Sequence, residues 1–186
     1  MTATWDRATL EQLFEGAPRF LDRLEAAGPF ATDADLFTAA RTIAHQMPEA
    51  EQVELIDAHP RLGAPPGTVS AMSFVEQGYD RVAGTERGAG TEPGAGTERA
   101  AGTDVAAELE RLNDAYEARF GFRYCVFVAG RTRAALLPGF EAALRADRDT
   151  ERRRAIDAVV DIAIDRQAKL QAGPTSDPAR PQEVRR

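Results

Sequence analysis

The stretch GFRYCVFVAG, residues 121–130, decides how the rest of the chain is read. It is dense in aromatic and branched residues, which favour extended backbone, and it is bounded by two glycines. Ten residues between breakers are too few for a typical helix, so the segment is expected to run extended through the interior. No second stretch of this kind occurs, and a lone strand has nothing to pair with. The expected architecture is therefore all-α, a compact bundle of about seven or eight helices with a short extended segment near 123–128.

Outward from that segment, apolar residues recur at spacings of three and four, the period of a helix with one buried face. Upstream, VAAELERLNDAYEARF (105–120) carries the stripe Leu109, Leu112, Tyr116 and Phe120. Downstream, TRAALLPGFEAALRAD (132–147) reads as one helix and DTERRRAIDAVVDIAIDRQAKLQAG (149–173) as a second, long and amphipathic. Nearer the start the same period links Leu10, Leu13 and Phe14, then Phe20, Leu21 and Leu24, then Leu36, Phe37, Ala40 and Ile43. Thr9 is the expected start signal of the first run, Gly28-Pro29 breaks the second, and Thr32 or Asp33 caps the third. Another helix is expected from Pro48 to Ala58, with proline in its first turn and Glu49 and Glu51 at its positive end. PRLGAPPGT (60–68) is a loop, and VSAMSFVEQGYDRVAG (69–84) reads as helix again.

One region breaks the pattern. From residue 83 the chain runs AGTERG, AGTEPG, AGTERA and AGTD, a six-residue unit repeated with small changes. Three polar units and a fragment are too short for a repeat fold, and a flexible surface insertion at about 84–103 is expected. The end, 173–186, has the composition of a disordered tail. A single helical domain, 1–172, accounts for the remainder, since 186 residues suffice to bury roughly two thirds of the unfolded surface in one core.

Composition narrows the function. The formal charge is −7, with 23 basic residues scattered among 30 acids and no basic stripe, so nucleic acid and anionic membrane are poor partners. No apolar run is long enough to span a bilayer. One cysteine, Cys125, leaves no disulfide framework, and the opening MTATWDRATLEQLF has no basic region followed by an apolar run; a cytoplasmic setting is expected. Two histidines and a cysteine far apart argue against a zinc site, and no nucleotide or nucleophile-elbow motif is present.

Chemistry-bearing residues are few. His59 in AHPRLG stands where a helix stops; Pro60 disfavours helical backbone at His59 and turns it toward the following loop. Both a structural C-cap and a placed acid or base fit that position. Ser73 and Glu76 in SFVEQG have the spacing of a capping box, which would still set the carboxylate across the Gly/Pro loop from His59. Arg166 in DIAIDR interrupts an apolar face, and either reaches solvent or points inward to an acid or anion. Cys125 reads most simply as a small buried hydrophobe.

Taken in order, AHPRLG, SFVEQG, LNDAYEARFGFRYCVFVAGRT and DIAIDR resemble the 2-oxo-4-hydroxy-4-carboxy-5-ureidoimidazoline (OHCU) decarboxylases of urate degradation, over about residues 8–172. The resemblance implies an all-helical, cofactor-independent homodimer that converts OHCU to (S)-allantoin and carbon dioxide. It also implies catalytic roles for His59, Glu76 and Arg166. Pro60, Ser73, Gln77 and the segment Tyr124, Cys125, Val126, Phe127 and Val128 are implied to bind substrate, the segment largely through its backbone. Two departures stand out: Arg61 where many members have Asp after His-Pro, and Arg123 where many have Pro after Phe-Gly-Phe. The first is expected to bear on the pocket rim.

The residue types suit the reaction. The OHCU carboxylate sits next to a C=N bond that takes up the electrons released with carbon dioxide, so the substrate is its own electron sink. The protein has to orient it and deliver one proton to one face. His59 is the expected donor, with a pKa left near neutral by opposing effects; Glu76 orients it or the substrate, and Arg166 holds an oxygen. The alternatives are a non-catalytic helical binding or dimerisation module and a decarboxylase of a related ureido acid.

Overall fold

The structure is a computed structural model that describes residues 5–79 and 95–172. Among these, eight α-helices follow in chain order: α1 (Arg7–Phe14), α2 (Pro18–Ala27), α3 (Asp33–Gln46), α4 (Glu49–Asp57), α5 (Ala71–Glu76), α6 (Ala95–Phe120), α7 (Arg133–Ala143) and α8 (Arg148–Ala172), with a single 3-10 turn at Pro66–Thr68. No strand occurs among the described residues, and the chain is all-α. Residues 84–94 of the expected insertion and the whole tail 173–186 lie outside the described residues, while the backbone of 95–103 forms the first turns of α6.

Local chemistry sets the helix ends, in two places differently from expectation. Asp6, not Thr9, caps α1; its carboxylate accepts from the Thr9 N–H at 2.8 Å, so the helix begins earlier. Thr32 caps α3 in a complete capping box with Asp35. The anticipated box between Ser73 and Glu76 does not form. Ser70 caps α5 instead, accepting from the Ser73 N–H at 3.1 Å, and Glu76 is the helix's last residue. That shift matters, because it frees both side chains for the interior. The helix is also shorter than 69–84, ending in a turn at Gly78 with φ +75°.

The organising element is α8, which packs against α1, α3 and α4. Its buried positions include Ala155, Ile156, Val159, Val160, Ile162, Ala163 and Arg166. At 100° per residue these cover roughly 160° of arc, wider than the stripe of a surface helix, and they make α8 a central rod. The extended segment after α6 closes the other side. Tyr124 stacks on Phe140 of α7 with ring centroids 3.7 Å apart, and Tyr116 meets Phe120, Phe122, Tyr124 and Phe140. Aromatic packing, rather than strand pairing, holds this segment extended.

Candidate active site

The C-terminal end of α4 places His59. Its carbonyl accepts from Arg123 Nη1 at 3.0 Å, which also bonds the Asp57 carbonyl at 2.7 Å, while the Arg123 N–H donates to the Asp57 carboxylate at 2.8 Å. Arg123 thus acts as a cationic cap on α4 and ties it to the extended segment. The following loop is held by Arg61, which forms a bidentate pair with Glu117 at 2.7 and 2.6 Å and reaches Asp114 at 3.0 Å. Arg61 therefore faces α6 and does not line the cavity, contrary to the expectation that it shapes the rim. Gly63 in this loop has φ +84°, and a Cβ there would meet Leu109 at 3.0 Å, so only glycine fits.

These elements enclose a cavity of about 270 Å³. His59, Pro60 and Leu62 form one wall, and Ser73, Glu76 and Gln77 a second. The extended segment from Tyr124 to Gly130 supplies a third, and Ile162, Asp165 and Lys169 of α8 complete it. The residues expected from sequence are thus brought together, with one exception. Arg166 is not among the lining residues; it is fully buried behind them.

Arg166 reaches neither solvent nor the cavity because its guanidinium is fully occupied. Nε and Nη2 bind the two Glu76 oxygens at 2.7 and 2.8 Å, and Nη2 also meets Glu15 at 2.7 Å and Ser73 Oγ at 3.1 Å. Nη1 donates to the carbonyls of Gln12 and Leu13. Burial works against its charge, but Glu76 and Glu15 more than offset this and hold Arg166 protonated. Glu15 in turn accepts from Ser70 and Ser73 at 2.7 Å each. Burial alone would raise the Glu15 carboxyl, yet Arg166 and the two hydroxyls hold it below its ordinary range.

His59 differs from the expectation in state and in partner. The ring is only 4% exposed, and neither nitrogen makes a hydrogen bond of ordinary geometry. Burial is the main cause of a pKa pushed down to about 4; the Arg166 guanidinium adds to it, and Glu15 and the Leu55 carbonyl only partly oppose. His59 is thus neutral near pH 7 and not poised at its ordinary value. Glu76 does not orient it, since that carboxylate is held by Arg166. A buried imidazole on a cavity wall, with no hydrogen bond of ordinary geometry, is available to a ligand.

The extended wall has its own supports. The Cys125 carbonyl accepts from Arg154 at 2.9 Å, and those of Phe127 and Val128 from Arg131 at 2.5 and 3.0 Å. Among the described residues, the N–H groups of Cys125 to Val128 donate to no protein group, which leaves them for a ligand. Burial pushes the Cys125 thiol up to about 12, so it is no nucleophile. Gln77 lines the cavity, but its amide accepts from Gly63 N–H at 2.7 Å and donates to the Arg61 carbonyl, holding the loop. Among the described residues, no group of three or more His, Cys, Asp or Glu side chains is placed to hold a metal ion.

Sequence reasoning missed Glu15, Leu62, Ala129, Gly130, Ile162, Asp165 and Lys169. For the α8 residues a signal existed: 162, 165 and 169, at spacings of three and four, share one helical face. Glu15 gave almost none. It ends α1 in a left-handed conformation, φ 56°, and a polar residue before glycine at a helix end is ordinarily solvated.

An all-helical fold that encloses a small cavity, walled by a buried His, an Arg-anchored Glu and the unpaired N–H groups of 125–128, defines a helical protein with a site for a small polar ligand. The chain matches the family model described as OHCU decarboxylase over residues 1–168, and it belongs to that family. It is 29% identical over 155 residues to the uric acid degradation bifunctional protein PucL of Bacillus subtilis (strain 168), covering 83% of this chain but only 28% of that protein. Its fold is similar to a crystal structure of OHCU decarboxylase in the presence of (S)-allantoin, with a TM-score of 0.61, 22% identity and coverage of 88% of this chain and 98% of the other. A crystal structure of (S)-allantoin synthase gives a TM-score of 0.57 at 18% identity, covering 87% of this chain and 48% of that one.

Proposed function

We propose that the chain decarboxylates OHCU to (S)-allantoin without a cofactor. The observation that carries this reading is the neutral His59, without a hydrogen bond of ordinary geometry, lining a small cavity beside Glu76 and the unpaired amides of 125–128. In OHCU the bond from C4 to the carboxylate breaks and its electron pair forms C4=C5, while the C5=N pair moves onto nitrogen, which takes up a proton. The resulting enol passes its hydroxyl proton on as C5 gains one, and the face that receives it sets the stereochemistry. A neutral imidazole suits this exchange: it accepts the hydroxyl proton and returns it to C5. Glu76, immobilised by Arg166, accepts hydrogen bonds from the substrate's N–H or hydroxyl groups, and the amides of 125–128 hold its carbonyl oxygens. Arg166 is a positioning residue in this scheme. The protein acts as a homodimer in the cytoplasm, as the family resemblance implies.

The test generates OHCU in place from urate with urate oxidase and hydroxyisourate hydrolase and follows the circular dichroism of (S)-allantoin. The protein should accelerate the signal, and His59→Asn and Glu76→Gln should each lower the rate at least about a hundredfold at unchanged helical content. A signal no faster than without protein overturns the reading.

A further inference from the structure

We propose that Lys169 recognises the carboxylate that the reaction removes, making it a substrate-selecting residue at the cavity mouth. The inference rests on the decarboxylase reading above. An acid must find a cation, and the cavity offers few. Of the residues described as lining it, Lys169 alone carries a positive charge, while Glu76 and Asp165 repel an anion. Arg166 is excluded, because every guanidinium nitrogen already has a carboxylate or carbonyl partner and none reaches the cavity. Nearby cations are also engaged: Arg131 with the Phe127 and Val128 carbonyls, and Arg133 with the Gln77 carbonyl and the face of Tyr79.

Lys169 differs from all of these. Its side chain is 50% exposed, and its partner is the Asp165 carboxylate at 2.5 Å, one helical turn away on the same cavity-lining face. An exposed pair of this kind is weak and exchangeable. Asp165 marks where a carboxylate sits against the ammonium, and the substrate's carboxylate takes that place. Once carbon dioxide leaves and the ring nitrogen has taken up a proton, the remaining molecule is neutral, Asp165 regains Lys169, and nothing ionic retains the product. A strong cation clamp would stabilise the carboxylate in the ground state and oppose its loss. An exposed, competed ammonium avoids this, so its effect falls on KM and not on kcat.

The experiment compares wild type with Lys169→Gln, Lys169→Arg and Asp165→Asn in the coupled OHCU assay, with neutral allantoin as a competing ligand. Lys169→Gln should raise KM about three- to tenfold with kcat within about twofold, and abolish the rise of KM with ionic strength. Its inhibition constant for allantoin should not change. Lys169→Arg should restore KM, and Asp165→Asn should lower it. An unchanged KM in Lys169→Gln, or equal rises in KM and in the allantoin constant, overturns the role of Lys169 alone. No turnover by wild type overturns the decarboxylase reading, and this inference with it.

Discussion

At the scale of single residues, the proposed chemistry turns on a histidine kept neutral by burial. Its pKa of about 4 lies below the ordinary 6.5, so between these values the unfolded chain binds more protons than the folded one. Stability is therefore fully present above about pH 6.5 and declines as pH falls toward 4, by about 3 kcal/mol in all from this group. Urea unfolding at pH 7 and pH 4.5 should show the loss, and His59→Asn should reduce it; an identical pH dependence in the variant would place the titration elsewhere. In the same way kcat/KM should stay flat down through pH 6 and fall only on approach to pH 4 to 5. The sequence revealed that His59 leaves a helix end. It concealed the protonation state, because that depends on desolvation by distant residues and on Arg166, which lies 107 positions away in the chain.

At the scale of elements, the site is an arrangement of ends: the C-terminus of α4, the short α5 and the middle of α8. Arg123 joins the first of these to the extended wall through three hydrogen bonds, two to carbonyls at the negative end of α4. Arg123→Ala should cost about 1–2 kcal/mol in thermal or chemical unfolding and lower kcat, because His59 loses the support of its own carbonyl. A variant with wild-type kcat would show that α4 needs no such tie. Helix periods predicted most of the rods, and 123–128 runs without helix between a bend at 121–122 and a turn at 129–130, as the short extended segment expected there requires. The start of α5 was misplaced because Ser70 and Ser73 both satisfy a cap pattern locally. Only the packing of Ser73 against Glu15 and Arg166 decides between them.

At the scale of the molecule, the described cavity residues fall in 59–77, 124–130 and 162–169, and none comes from the repeated hexads. Removing two whole units, 83–94, should leave the rate of (S)-allantoin formation within about twofold and the unfolding midpoint nearly unchanged, as the surface-insertion reading of the sequence requires. A large loss of activity would give the repeats a role at the site.

By itself the sequence determined the all-helical class, the extended segment and the family, because hydrophobic period, breakers and ordered short motifs are local properties of the chain. It also marked His59, Glu76 and the wall from Tyr124 to Val128. Tertiary structure alone decided who faces whom: Arg166 turned inward to anchor Glu76, Glu15 joined it, Arg61 turned away to α6, and Lys169 came to the cavity mouth. The physical reason is that the partner of a buried charge is chosen by three-dimensional proximity and by what desolvation demands, and neither leaves a period in the sequence.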